Sequence, residues 1–91
     1  MSRFITLTTD FGYRDPFVGI MKGVVASINP AATLIDLTHG VMPQDVTGGA
    51  LALAAAVDFY PKGSIHVAVV DPEVGGDRLP ILVETDCAYY I

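Results

Sequence analysis

Three short runs rich in β-branched and aromatic residues, at 4–9, 33–38 and 64–70, are separated by two stretches of helical character. That alternation leaves few folds open. Strands joined through helices pair in parallel by right-handed crossovers, which lay the helices against the sheet. The expectation is an α/β fold of three layers: a largely parallel sheet with helices on both faces. The third run is continuously apolar apart from His66, as a strand buried on both faces would be.

The details agree with this outline. Pro16 suits a first helical turn, and after it Phe17, Ile20, Met21, Val24, Val25 and Ile28 recur at helical spacing as one apolar stripe. Gly19 and Gly23 lie beside the stripe. Each weakens a helix by about 1 kcal/mol relative to alanine, so a closely packed neighbour is expected there. Asn29-Pro30 closes this helix. The second opens at Pro43-Gln44-Asp45, with the Asp45 carboxylate near its positive end. From Ala50 to Val57 it is apolar on nearly every side, which predicts a helix buried all round or covered by a partner. After Pro61-Lys62-Gly63 comes the third strand. Pro80 to Thr85 and Ala88 to Ile91 then read as an antiparallel pair joined at Asp86-Cys87.

Composition narrows the function. A hydrophobic fraction of 52% with 16% charged residues is high for 91 residues, and suggests faces that something else covers. A net charge of −5 with no basic cluster argues against a nucleic-acid partner. Cys87 stands alone, so neither a disulfide framework nor a thiolate metal site is expected. The sequence enters its first strand without a signal-peptide pattern, and its longest apolar run is too short to cross a bilayer. A soluble, cytoplasmic protein with no membrane partner is expected. The chain stops inside an apolar run, Cys87 to Ile91, so residues 1–91 read as one N-terminal α/β domain of a longer protein.

In a parallel sheet the C-terminal strand ends share one edge, where ligands bind. The three strands deliver Asp10, then Thr38 and His39, then Asp71 to that edge. Each has an ordinary explanation as well. Asp10 is also suited to capping a turn, and Asp36, inside its strand, to a structural hydrogen bond. His39 suits a bond to a loop carbonyl, and His66 a place in the core or at an edge. Asp71-Pro72 suits a turn, and Arg78 the surface. Gathering at one edge is what favours a site, with Gly12, Gly75 and Gly76 allowing close backbone approach. Dinucleotide-binding, Walker, zinc-protease and Gly-x-Ser-x-Gly motifs are all missing. A metal site from Asp10, His39 and Asp71 stays open as an alternative.

The segments TTDFGYRDPFVGIMKGVV, IDLTHGVMPQDVTGGA and YPKGSIHVAVVDPEVGGDR resemble the N-terminal domain of the S-adenosylmethionine hydroxide adenosyltransferases. These are S-adenosyl-L-methionine hydrolases related to the fluorinating and chlorinating enzymes. The resemblance implies attack of water or hydroxide on ribose C5′, giving adenosine and L-methionine, with S-adenosylmethionine as substrate and no cofactor or metal. It implies a homotrimer, with the active site between this domain and the C-terminal β-barrel of a neighbouring subunit.

By the same resemblance Asp71 and Arg78 match two members of a catalytic set whose histidine falls beyond Ile91. Asp10 matches a carboxylate that accepts the ribose 2′,3′-diol, and Asp15 a residue near the methionine amine. Gln44 falls where the halogenating relatives carry a substrate-facing tryptophan. Those relatives lack the acid at Asp71, which favours the hydrolase branch. Glu73 stands where hydrolases usually have glycine, and at a positive φ it would strain the loop before Arg78. The rival readings are a non-catalytic nucleoside-binding or assembly module, and a metal-dependent hydrolase.

Overall fold

The computed structural model describes residues 3–71, 76, 77 and 79–91. The elements follow the sequence pattern closely: β1 (Phe4–Thr9), α1 (Phe17–Ile28), β2 (Thr33–Thr38), α2 (Val46–Ala56), a 3-10 turn (Val57–Phe59), β3 (Ser64–Val69), β4 (Val83–Glu84) and β5 (Ala88–Tyr90). The strands form one sheet in the order β2-β1-β3-β5-β4. All neighbours are parallel except the β4–β5 pair at one edge, which is antiparallel as expected.

The helices do lie on opposite faces, and the pleat shows which. Thr6 is in register with His66, so Val70 shares their face of the sheet. A Cβ on Gly49 of α2 would lie 2.9 Å from Val70 Cγ2, so α2 packs on this side and its backbone approach requires the glycine. Asp36 is in register with Leu7 on the other face, where its carboxylate meets Lys22 of α1 at 2.6 Å. Topology explains the arrangement. α1 carries the chain outward from β1 to β2, and α2 carries it back across β1 to β3. Two crossovers of one hand running in opposite directions must use opposite faces.

The centre of the sheet is polar. Thr6, Thr8 and Thr9 of β1 are fully buried around Leu7, and His39, Ser64 and His66 are buried with them. Among the described residues the fully buried hydrophobic side chains are Leu7 and Ala88. Within this chain α2 is not buried all round, which leaves the alternative of a covering partner, and α1 shows no close neighbour at its glycines. On α1 only Met21 and Val25 of the stripe are half-buried, while Phe17, Ile20, Val24 and Ile28 face outward, Ile28 at 81% exposure. Among the described residues, nothing beyond the helix's own neighbouring backbone approaches within 4 Å of where a Cβ would stand on Gly19 or Gly23. On α2 the buried residue is Gly49, and Val46 and Leu51 are exposed. Neither helix is enclosed, because each has the sheet on one side and no further layer of this chain on the other.

Asp45 caps α2 as its position suggested: its side chain accepts the Gly48 amide at 2.9 Å. His66 belongs to the core. Its Nδ1 bonds Thr6 Oγ1 at 2.7 Å, its ring packs against Tyr60 and Tyr90, and Nε2 has no hydrogen-bond partner among the described residues. Burial pushes this imidazole below its ordinary pKa.

The exposed stripe predicts self-association. The double variant Ile20→Glu, Val24→Lys should sediment as a smaller species than the parent at equal concentration, with no loss of Tm. His66 predicts acid sensitivity. The unfolded ring gains a proton near pH 6.5 while the folded ring resists it, so stability falls as pH drops from about 6.5 towards the depressed folded value. Urea unfolding should show this decline between pH 7.5 and 5.5, and His66→Gln should flatten it while lowering stability at pH 7.5. Equal pH dependence in the two proteins would contradict the assignment.

Candidate functional site

β1 leaves the sheet at Asp10, whose amide donates to Val69 O at 3.3 Å. The ends of β1 and β3 are therefore side by side. From β1 the chain departs towards β2, and from β3 its next sheet neighbour is β5, so the strand order diverges between these two ends. A divergence of this kind opens a crevice at the C-terminal edge. Asp10 and the half-buried Asp71 stand at its two sides.

The loop before α2 folds down over the end of β1. Val41 donates its amide to Thr9 O at 3.3 Å, and Gln44 donates its amide to Asp10 Oδ2 at 2.8 Å. Gln44 reaches this position with a φ of 65°, the left-handed region that a side chain normally avoids. Its backbone therefore belongs to the site as much as its side chain does. Oδ2 keeps a second lone pair, and Oδ1 has no hydrogen bond among the described residues.

His39 joins the two loops. Its ring is 1% exposed, with Nε2 2.7 Å from Asp36 Oδ1 and Nδ1 2.7 Å from Thr9 Oγ1. The carboxylate only accepts, so Nε2 carries the proton, and in the neutral ring Nδ1 accepts the Thr9 hydroxyl. Thr9 Oγ1 in turn accepts the Phe11 amide at 3.2 Å. Lys22 holds the other Asp36 oxygen. Burial acts to raise the Asp36 pKa, but the hydrogen bonds and charges of Lys22 and His39 outweigh it and hold the carboxyl below its ordinary value. The backbone of His39 contributes too: its carbonyl accepts the Gly12 amide at 2.8 Å, and its amide donates to Tyr13 Oη at 2.8 Å. Gly12 makes that turn at a φ of 78°. The His39 amide and then the Thr38 hydroxyl draw the exposed Tyr13 phenol below its usual pKa.

The structure thus brings Asp10 and Gln44 into contact and sets Asp71 at the adjoining strand end. Asp15 instead accepts the Phe17 amide at 3.1 Å, at the start of α1. Arg78 and Glu73 lie outside the described residues, as do Pro72, Val74 and Gly75. Asp36 makes the structural bond expected of it, whereas His39 bonds side chains with its ring rather than a loop carbonyl. Both ring nitrogens of His39 are engaged, and no group of three His, Cys, Asp or Glu among the described residues could hold an ion. Thr9, Lys22 and Tyr13 were not anticipated. Their partners lie 14 to 30 residues away, and no local pattern announces such contacts.

Comparison with known proteins places the chain in a family. Residues 5–91 match the SAM hydroxide adenosyltransferase N-terminal domain. An (R)-S-adenosyl-L-methionine hydrolase of Methanocaldococcus jannaschii is 44% identical, aligned over 96% of this chain and 34% of its own length. One from Salinispora arenicola is 49% identical over 86% of this chain and 30% of its own length. A fluorinase of an Actinoplanes species is 32% identical over 78% of this chain and 24% of its own. A solved structure of an uncharacterized conserved protein from Thermotoga maritima superposes with a TM-score of 0.90 at 36% identity, covering 94% of this chain and 34% of that one. The chain spans about a third of the length of these hydrolases. With the same fold, and a family match running through every strand of the sheet, the chain belongs to the SAM hydroxide adenosyltransferase family, as its N-terminal domain.

Proposed function

We propose that this chain is the nucleoside-facing domain of an S-adenosyl-L-methionine hydrolase. The observation that carries the reading is the meeting of Asp10, the Gln44 amide and the Asp71 strand end at the β1/β3 crevice. The hydrolases match at 41–49% identity and the fluorinases at 30–32%, which supports the hydrolase branch over the halogenating one.

In this reading Asp10 accepts the ribose diol, through its open Oδ1 and the remaining lone pair of Oδ2. Water attacks C5′ in line with the C5′–S bond. The oxygen bonds to carbon, the C5′–S electron pair returns to sulfur, and a proton passes from the water to Asp71. Methionine departs as a neutral thioether and needs no acid. Arg78 orients the Asp71 carboxylate and stabilises incipient hydroxide. Asp15 offers negative charge to the methionine ammonium. Neither metal nor cofactor has a part in this scheme, and the working protein is a cytoplasmic homotrimer whose barrel domain closes the site. The exposed faces of α1 and α2 support such an assembly. Because the chain is about a third of its relatives' length, residues 1–91 alone are assigned nucleoside binding without turnover.

Mutagenesis of the protein that carries this domain tests the scheme. Asp71→Asn and Arg78→Ala should each lower kcat by about 10²–10⁴ with little change in substrate affinity. Residues acting as one unit are non-additive, so the double variant should be scarcely slower than either single one. Near-normal turnover in Asp71→Asn would remove the aspartate from the chemistry. Asp10→Ala should weaken adenosine binding roughly tenfold or more, as expected for loss of hydrogen bonds to a charged group. Gln44→Gly keeps the amide and suits the positive φ, so calorimetry should find adenosine affinity little changed if the backbone is what Gln44 contributes.

A further inference from the structure

The chain Lys22–Asp36–His39–Thr9 runs from a partly exposed ion pair to a buried hydroxyl at the strand end beside Asp10, without touching the crevice itself. Asp10 is flanked by Thr9 and Phe11, and these two are bonded to each other through the Thr9 hydroxyl and the Phe11 amide. That hydroxyl accepts the Phe11 amide through one lone pair, and in the neutral His39 ring it directs its own proton to Nδ1. Nδ1 is free to accept only because Asp36 holds the proton on Nε2. Asp36 therefore fixes the tautomer of His39, and with it the direction of the His39–Thr9 bond. The same histidine fixes Gly12 and Tyr13 through its backbone, so the turn that follows Asp10 is tied at three successive residues.

We propose that Asp36, His39 and Thr9 are positioning residues, holding the Asp10 carboxylate against the Gln44 amide in the orientation that takes a ribose diol. The ligand part of this assignment rests on the reading of Asp10 as the diol acceptor. The positioning part does not, because it rests on the Asp10–Gln44 bond itself. One Asp10 oxygen is held by a backbone donor and the other is open, so a rotation of the carboxylate would cost the bond and misalign both acceptors. Asp36 lies at the far end of the relay, and Lys22 keeps it ionised and in place. None of the three residues needs to meet the substrate.

Thr9→Val removes the hydroxyl at nearly constant volume in a fully buried position, and Thr9→Ser restores it. The first measurement is the amide proton shift of Gln44 by NMR, with Asp10→Asn marking its position when the donor faces a neutral partner. Thr9→Val should move the resonance towards the Asp10→Asn position, and Thr9→Ser should leave it at the parent value. A general loss of stability does not move the shift of molecules that remain folded, so this readout separates positioning from support. Asp36→Ala, at a half-exposed position that tolerates truncation, should move the resonance in the same direction if Thr9→Val does not fold. An unchanged Gln44 resonance in Thr9→Val or Asp36→Ala overturns the proposal.

The second measurement compares adenosine with 2′-deoxyadenosine by calorimetry. The parent should prefer adenosine by roughly tenfold, as for one hydrogen bond to a charged group. Thr9→Val and Asp36→Ala should lose most of that preference, and Thr9→Ser should keep it. A parent that binds both nucleosides equally overturns the diol assignment of Asp10, while the NMR result still decides whether the relay positions the carboxylate. A parent preference that persists in a variant with a displaced Gln44 resonance overturns the link between positioning and diol binding.

Discussion

Three threonine hydroxyls buried in the central strand set the terms for the rest of this structure. Thr6, Thr8 and Thr9 are closed off by neighbouring strands on each side and helices above and below. A buried hydroxyl without a partner costs a few kcal/mol at most sites, so each creates a demand for a polar group in an otherwise dry layer. Histidines from two other segments meet two of these demands: His66 from β3 bonds Thr6, and His39 from the end of β2 bonds Thr9. Thr8 has no such partner. The two histidines then have different fates. His66 has nothing on its second nitrogen and is held neutral by burial, whereas His39 is anchored at both nitrogens by charge and hydroxyl.

That difference distinguishes the end of β1 that carries the candidate site. At the Thr9 end the polar requirement draws in the whole β2–α2 connection, and with it Val41 and Gln44. The loop covers the strand end and aims a backbone donor at Asp10. The positive φ of Gln44 is the local cost of this arrangement, tolerated because the bond to the Asp10 carboxylate and the cap at Asp45 hold the residues on both sides. Around the Thr6 end the rings of Tyr60 and Tyr90 pack against the histidine instead.

The helices contribute less to the core than their composition suggests. α1 is tied to the sheet by the Lys22–Asp36 pair, with Met21 and Val25 half-buried, while much of its stripe looks away. The periodicity was right about the helix and silent about its surroundings. An apolar stripe states that something covers it in the working protein, without saying which chain supplies the cover.

The order and limits of the strands and helices were legible in the sequence, because hydrophobic period, proline placement and the Asp45 cap are local signals. So was the arrival of Asp10, His39 and Asp71 at one edge, since alternation of strand and helix is enough to fix the shared direction of the strands. Arg78, in the glycine-rich loop, lies outside the described residues, and its part in the site rests on the sequence alone. The tertiary structure decided the rest. The Thr9–His39–Asp36–Lys22 relay joins residues from β1, α1 and β2 and the loop after β2, and no spacing along the chain encodes which buried hydroxyl meets which ring. Gln44 acts through a backbone group whose direction depends on a φ that its side chain does not favour. Such contacts follow from desolvation in three dimensions, where a buried polar atom takes the nearest partner that the packed sheet allows.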